Sequence, residues 1–167
     1  VLAVSEQLSK LQYTSNLYYS EPCAKLAKML CDKTGMKKVF FSNSGAEANE
    51  CAIKVARKYG TDKNPDKNEI ITLVNSFHGR TITTLSATGQ DTFHKHFTPF
   101  TQGFCYVPAN DTKALNSAIS NKTCAIMIET VQGEGGVNLL SREFLGEIER
   151  ITTENDILLI VDEVQTG

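Results

Sequence analysis

Residues Phe41 to Gly60 read FSNSGAEANECAIKVARKYG, and this stretch decides the fold. It continues Lys38-Val39-Phe40-Phe41, a short β-branched and aromatic run that reads as a buried strand. The chain then turns through Ser44, Gly45 and Ala46 into a periodic helix. Ala48, Cys51, Ala52, Val55, Ala56 and Tyr59 recur at helical spacing and predict one apolar face. Ser44 and Glu47 have the spacing of a capping box, Glu50 and Lys54 are placed to pair on the surface, and Gly60 is expected to stop the helix. Arg57 and Lys58 fall in the last turn, where cations suit the helix dipole. A strand, a small-residue turn and a capped helix aim free backbone N–H groups at one point, an anion site whose common occupant is phosphate. The same pattern also fits an ordinary strand–helix corner whose cap bonds only itself.

Outward from this stretch, strand and helix keep alternating. The polar connector Gly60 to Asn68 leads into a buried strand over Glu69 to Asn75, then Ser76-Phe77-His78-Gly79-Arg80-Thr81 and a short helix through Leu85. Thr88 to Gly103 is long, aperiodic and aromatic (Phe93, Phe97, Phe100), and loops of that kind are usually functional or packed over something. Phe104 to Val107 reads as a strand, and Asp111 caps a helix to Ile119. Thr123 to Glu129 is an apolar strand that empties into Thr130 to Gly136. Ser141 caps a helix carrying Phe144, Leu145, Ile148 and Ile151, and Ile157 to Val161 is the last strand. On the amino-terminal side, Val1, Val4, Leu8 and Leu11 mark one helix, and Ser15 to Ser20 form a polar and aromatic loop. Ser20 and Pro22 then open a second helix with Cys23, Leu26, Ala27, Leu30 and Cys31 on its apolar face, closed by Gly35. Strands apolar throughout, separated by amphipathic helices, predict an α/β fold with a mostly parallel sheet covered by helices on both faces.

Composition narrows the function classes. With 167 residues the chain is long enough for one sizeable core, and a formal net charge of −2 with mixed signs gives no nucleic-acid footprint. The five cysteines are scattered, without a C-x-x-C pair, so the expected compartment is a reducing cytoplasm. No run reaches membrane-span length and no signal peptide opens the chain. The absence of an initiator Met, and a last strand followed at once by polar residues, are expected of a piece of a longer protein. His78, His94 and His96 read as loop histidines, since no second ligand pair lies at metal-binding spacing. Gly133 to Gly136 is not a dinucleotide fingerprint, and no G-K-[ST] follows a strand.

In open parallel sheets, ligands bind beyond the carboxyl ends of the strands. Ser42 to Ala46, Phe77 to Arg80, Glu129 to Glu134 and Asp162 to Gln165 are therefore expected along one sheet edge. They offer an N–H cradle, an aromatic face, a cation, several carboxylates and an amide. A phosphate for the cradle, a flat ring for Phe77 and a ring nitrogen for Asp162 together describe pyridoxal phosphate, whose electron-sink chemistry depends on a protonated ring. Arg80 is then free to fork onto a substrate carboxylate.

The motifs SGAEANE (44–50), SFHGRT (76–81), ETVQGEGG (129–136) and VDEVQTG (161–167) resemble those of class III pyridoxal-phosphate aminotransferases. The acetylornithine/succinylornithine branch is the nearest, because TSNLYY (14–19) and Phe77-His78 also resemble it, and the motifs run in family order from about Tyr13 to Gly167. The resemblance implies the large domain of a fold-type I transferase. Residues 1–35 would be an N-terminal helical segment, and 36–167 the first part of the cofactor-binding domain. It also implies that Ser44, Gly45 and Ala46 hold the cofactor phosphate, Phe77 stacks on the pyridine ring, Asp162 pairs with the ring nitrogen and Gln165 lies near the phenolic oxygen. Arg80 would grip a substrate carboxylate. Glu134 would mask or release a second arginine, Glu129 would form a site wall, and Tyr19 would lie near the substrate tail. The implied reaction moves an amino group between N-acetylornithine and 2-oxoglutarate in arginine biosynthesis, in a cytoplasmic homodimer.

One departure qualifies the resemblance. The family's Schiff-base lysine is expected downstream of DEVQTG, and Lys54, Lys58, Lys113 and Lys122 follow no strand tip at the right place. The second carboxylate-binding arginine and the carboxy-terminal small domain are also expected outside these residues. Ornithine and 4-aminobutyrate aminotransferases share the motifs. A catalytically incompetent fragment that binds only phosphate or a partner chain is the alternative from outside the enzymes.

Overall fold

The sheet is built around one strand that is buried on both faces. A computed structural model describes residues 1–15 and 17–167, and the chain divides into two compact units, Val1–Phe41 and Ser42–Gly167. The strands of the larger unit are β1 (Glu69–Leu73), β2 (Phe104–Val107), β3 (Thr123–Ile128), the short β4 (Val131–Gln132) and β5 (Asn138–Leu139), and β6 (Leu158–Val161). Four of them make a parallel sheet in the order β2-β1-β3-β6, and β4 pairs antiparallel with β5. From β1 the chain goes to β2 on one side and then to β3 on the other, so the crossover direction reverses between β1 and β3. Crevices at such reversals, beyond the strand ends, are where open α/β sheets hold ligands.

Every residue of β3 is buried, which places it at the centre of both core layers. On one face Ile71, Leu73, Ile126 and Ile128 pack with Leu115 of α5 (Thr112–Ala118) and with Phe144, Ile148 and Ile151 of α6 (Arg142–Glu154). On the other, Ile70, Cys124, Ala125 and Met127 pack with Ile53 and Ala56 of α3 (Gly45–Thr61) and Ala87 of α4 (Ile82–Ala87). Burying each large aliphatic or aromatic side chain contributes about 1.5–3 kcal/mol. The helices begin where side-chain caps allow. Asp111, Ser141 and Thr81 accept the amides of Ala114, Phe144 and Thr84, and Thr81 with Thr84 forms a complete capping box.

Several local expectations are corrected. Lys38–Phe41 is not a strand, and Phe40 and Phe41 are exposed, because three apolar residues without a ladder partner have nothing to bury them. The buried face of α3 is Asn49, Ile53, Ala56 and Gly60; Ala48 and Val55 point outward. Gly60 does not end α3, which runs to Thr61 with Asp62 as its C-cap. Glu47 completes a variant of the expected capping box: Ser44 Oγ accepts its amide, while its carboxylate accepts from Asn43 N–H and not from the cap residue. Glu50 accepts from Thr81 Oγ1 and is not among the ion pairs of the described residues.

The smaller unit holds α1 (Leu2–Lys10) and α2 (Glu21–Thr34), neither with a buried residue. Gly35 closes α2 in the left-handed region at φ 74°, whereas Ser20 stands at the N-cap without a side-chain bond. Asn16, in the expected polar loop, lies outside the described residues.

Gly60 shows which force sets the α3–β3 distance. A Cβ there would lie 2.1 Å from the Lys67 carbonyl oxygen and 2.6 Å from Cys124 Cβ. Helix propensity alone favours alanine over glycine by about 1 kcal/mol. Overpacking opposes it with about 1–3 kcal/mol. Gly60→Ala should therefore destabilise, lowering the midpoint in chemical denaturation; a raised midpoint would show that helix propensity wins.

Candidate functional site

The tips of β1, β3 and β6 and the first turn of α3 enclose a cavity of about 240 Å³. Its walls are Gly45, Ala46, Asn49, Phe77, His78, Gly79, Arg80, Glu129, Asp162, Val164 and Gln165. Small residues let these segments meet. A Cβ on Gly45 would lie 2.7 Å from Val164 Cγ1, and one on Gly79 would lie 2.8 Å from Ala46 Cβ. Gly79 also sits at φ 129°, a conformation that side chains rarely adopt. Ser44 caps α3 just outside the wall, its Oγ 3.2 Å from the Glu47 amide. The Gly45 and Ala46 amides find no acceptor among the described residues, as the first turn of a helix dictates, and both residues line the cavity. Free amides at a helix N-terminus suit an anion.

The β1 tip is tied down from behind. Ser76 Oγ accepts the Gly89 amide at 3.0 Å, and Gln90 Nε2 donates to the Ser76 carbonyl at 3.0 Å. The Phe77 amide donates to Glu129 Oε2 at 2.9 Å. Phe93, from the long aromatic loop, packs against Phe77 with centroids 5.7 Å apart. The exposed Arg80 guanidinium lies 6.0 Å from the Phe77 centroid and 5.7 Å from that of Phe93. It makes none of the ion pairs among the described residues.

Asp162, at the β6 tip, is 7% exposed and carries the densest hydrogen bonding of the site. Its Oδ2 accepts from Asn49 Nδ2 at 2.8 Å and lies 2.8 Å from His78 Nδ1, and its Oδ1 accepts the Val164 amide at 3.1 Å. Asn49 Nδ2 also donates to the His78 carbonyl at 2.8 Å. Burial pushes the Asp162 carboxyl up, but the bonds from His78, the Val164 amide and Asn49 outweigh it and hold the group below the ordinary aspartate range. An ionised carboxylate only accepts, so the proton of the His78 imidazole belongs on Nδ1. His78 Nε2 is buried without a hydrogen-bond partner among the described residues. Glu129 goes the other way: burial pushes its carboxyl up, and the backbone bonds from Phe77 and Gly133 only partly offset this.

Seven expected site residues thus line one cavity: Gly45, Ala46, Phe77, Arg80, Glu129, Asp162 and Gln165. Glu134 does not; it is exposed in the β4–β5 turn. Tyr19 belongs to the smaller unit, where it is exposed. Two residues in contact with Asp162 escaped the sequence reading, Asn49 and His78. His78 does stand in the loop between β1 and α4, but its side chain is fully buried, with an exposure of 0%. The available signal for Asn49 was its alignment with Ile53, Ala56 and Gly60, a polar residue in line with a buried stripe. No lysine lines the cavity among the described residues, and no cluster of three or more metal-binding side chains occurs among them. No described helix is long and apolar enough to cross a membrane.

A parallel α/β sheet that gathers a free helix N-terminus, an aromatic face and a buried carboxylate at its strand ends has the arrangement in which open α/β sheets hold ligands. The chain belongs to the class III aminotransferases: the family described as Aminotransferase class-III matches residues 1–167. It is 59% identical to an acetylornithine aminotransferase of Haemophilus ducreyi, over 99% of this chain and 42% of that protein. Among solved structures it resembles N-acetylornithine aminotransferase from Stenotrophomonas maltophilia (TM-score 0.81, 37% identity, 99% of this chain and 41% of that one). It also resembles the ornithine aminotransferase of Toxoplasma gondii, described with partial occupancy of PLP at its active site (TM-score 0.93, 33% identity, 99% and 40%). The chain therefore spans less than half the length of these relatives.

The two carboxyls predict opposite pH dependence. Asp162, depressed in the folded state, contributes stability that is present above its unfolded value of about 3.9 and is lost as pH falls through its folded value. Glu129, raised in the folded state, contributes stability fully present below about 4.3 and lost as pH rises through its folded value. Carbon-13 titration of the carboxyls in the full-length protein without ligand should find Asp162 deprotonating first. The reverse order would contradict the hydrogen-bond assignment.

Proposed function

We propose that the full-length protein carrying this chain is a pyridoxal-phosphate aminotransferase that moves an amino group between N-acetylornithine and 2-oxoglutarate in arginine biosynthesis. One observation carries the cofactor reading. The ionised Asp162 shares a single cavity with the unpartnered Gly45 and Ala46 amides and with Phe77, as a phosphorylated, protonated, flat ring requires. The donor set therefore fits pyridoxal phosphate, which when bound supplies an electron sink for bonds to the substrate's α-carbon.

In this reading the first turn of α3, with Ser44 as its cap, binds the phosphate. Phe77 covers a ring face, Asp162 holds the proton on the ring nitrogen, and Gln165 lies near the phenolic oxygen. Arg80 receives a substrate carboxylate as a fork of parallel N–H donors, while Glu129 walls the site. Glu134, Tyr19 and the covalent lysine belong to parts of the site completed outside the cavity walls described above. The acetylornithine assignment is supported by the Haemophilus ducreyi and Stenotrophomonas maltophilia relatives; the ornithine alternative has the support of the Toxoplasma gondii likeness at lower sequence identity. We place the enzyme in the cytoplasm, consistent with five free cysteines, and as a homodimer, consistent with the exposed apolar side chains Val4, Leu8, Leu26 and Leu30 on α1 and α2.

The test is amino-donor profiling of the full-length protein with 2-oxoglutarate as acceptor. N-acetylornithine should give the highest kcat/KM, and Asp162→Ala should lower half-transamination by about a hundredfold or more with unchanged circular dichroism. A preference for ornithine would reassign the substrate, and undiminished turnover in Asp162→Ala would refute the ring-nitrogen role.

A further inference from the structure

Asp162 has about four acceptor positions, two on each oxygen, and this fold fills all but one of them. Asn49 and His78 both bond Oδ2, and the Val164 amide takes one position on Oδ1. We infer that Asn49 and His78 are positioning residues for Asp162, saturating one carboxylate oxygen so that the other alone is free for the proton of a bound ring nitrogen. The inference rests on the pyridoxal-phosphate reading of the cavity and adds to it two residues that act through Asp162.

Asn49 is the linking member. It lies on α3 one turn beyond Gly45 and Ala46, so the helix that presents the amide cradle also orients the carboxylate. Its Nδ2 group bonds Asp162 Oδ2 and the His78 carbonyl, both at 2.8 Å, tying the β6 tip to the β1 tip. An amide provides two N–H bonds from one nitrogen at this reach; aspartate provides none and serine one. His78 is held independently: its backbone amide donates to Thr88 Oγ1 at 3.0 Å, and its fully buried side chain leaves the ring no open space to turn into. Its unpartnered, buried Nε2 leaves Nδ1 as the ring's only bonded atom, directed at Asp162. A ligand gripped at its phosphate by α3 and at its ring nitrogen by Asp162 thus meets both groups at a spacing set by one helix and one amide.

The test uses the full-length protein, with and without pyridoxal phosphate. Asn49→Leu and His78→Leu remove the donors without adding charge, His78→Asn restores an N–H near the Nδ1 position, and Asp162→Asn is the reference. The titratable or charged groups lining the cavity are His78, Arg80, Glu129 and Asp162; Asn49→Leu leaves all four in place. Each Leu variant should weaken pyridoxal-phosphate binding about tenfold or more, the low end for outer-shell partners at metal sites. Each should also shift the pH midpoint of the bound cofactor's absorption in the same direction as Asp162→Asn, and His78→Asn should recover much of both effects. In the cofactor-free parent, nitrogen-15 spectra of labelled histidine should show His78 protonated on Nδ1 and bare on Nε2, a readout independent of any variant's folding. A bare Nδ1 there overturns the inference. So do parent-like affinity and midpoint in Asn49→Leu when Asp162→Asn changes both. If Asp162→Asn itself changes neither, the cofactor reading fails and takes the inference with it.

Discussion

A charged carboxylate removed from water at a strand end is the constraint on which this site depends. Left without donors, Asp162 would take up a proton, since burying an unpaired charge costs more than neutralising it. The fold instead brings donors from two other segments: Asn49 from α3 and His78 from the β1 tip, joined by the local Val164 amide. Hydrogen bonds to charged groups are worth about 1.5–3 kcal/mol each, enough in sum to exceed the burial penalty and depress the carboxyl. The geometry of three elements is therefore coupled to one side chain. The glycines at the site follow from that coupling: Gly45 admits Val164, and Gly79 admits Ala46, at separations that any side chain would widen.

Glu129, in the same cavity, has the opposite fate. It is as buried as Asp162, but burial outweighs the bonds it receives, chief among them the Phe77 amide, and its carboxyl is pushed up. Environments that separate two carboxyls in this way assign them different work. Asp162 is suited to permanent negative charge against a protonated ring. Glu129 is suited to a wall position where it can accept a bond without insisting on its charge.

How much of this was legible beforehand depends on which force decided each element. The strand at Thr123–Ile128 was readable because burial on both faces leaves a nearly unbroken apolar run, and the caps at Asp111 and Ser141 were readable because capping is local chemistry. Lys38–Phe41 was misread because a strand needs a ladder partner, which four residues do not specify. The face of α3 was misread for a more instructive reason. Ala48 and Val55 outrank Asn49 in any apolar count, yet Asn49 is buried because Asp162 and His78 satisfy its amide. A buried polar network is invisible to periodicity, since each member looks misplaced until its partners, 29 and 113 residues away, are known. Asp162, Phe77 and Arg80 could be found by position after strands, and so could the place of His78; the part Asn49 and His78 play at Asp162 could be found only by contact.

The two grips of the site also differ in stiffness. Asp162 is held by hydrogen bonds from three groups in a buried setting, whereas Arg80 is exposed and rests on Phe77 and Phe93 at centroid distances of 6.0 and 5.7 Å. A cation over an aromatic ring at an exposed position is worth about 0.5–1 kcal/mol, less than a charge-assisted bond to a carboxylate. The guanidinium is thus parked near its task without being committed to it, and an arriving carboxylate can claim its N–H fork at small cost. On the proposed reading this asymmetry matches the chemistry. A cofactor retained through many turnovers needs a carboxylate that does not move, and two successive substrates of different length need a cation that does. Phe93 serves both ends, since the same ring that supports Arg80 also packs against Phe77. The long aromatic loop that carries it is therefore part of the site's support and not a surface excursion.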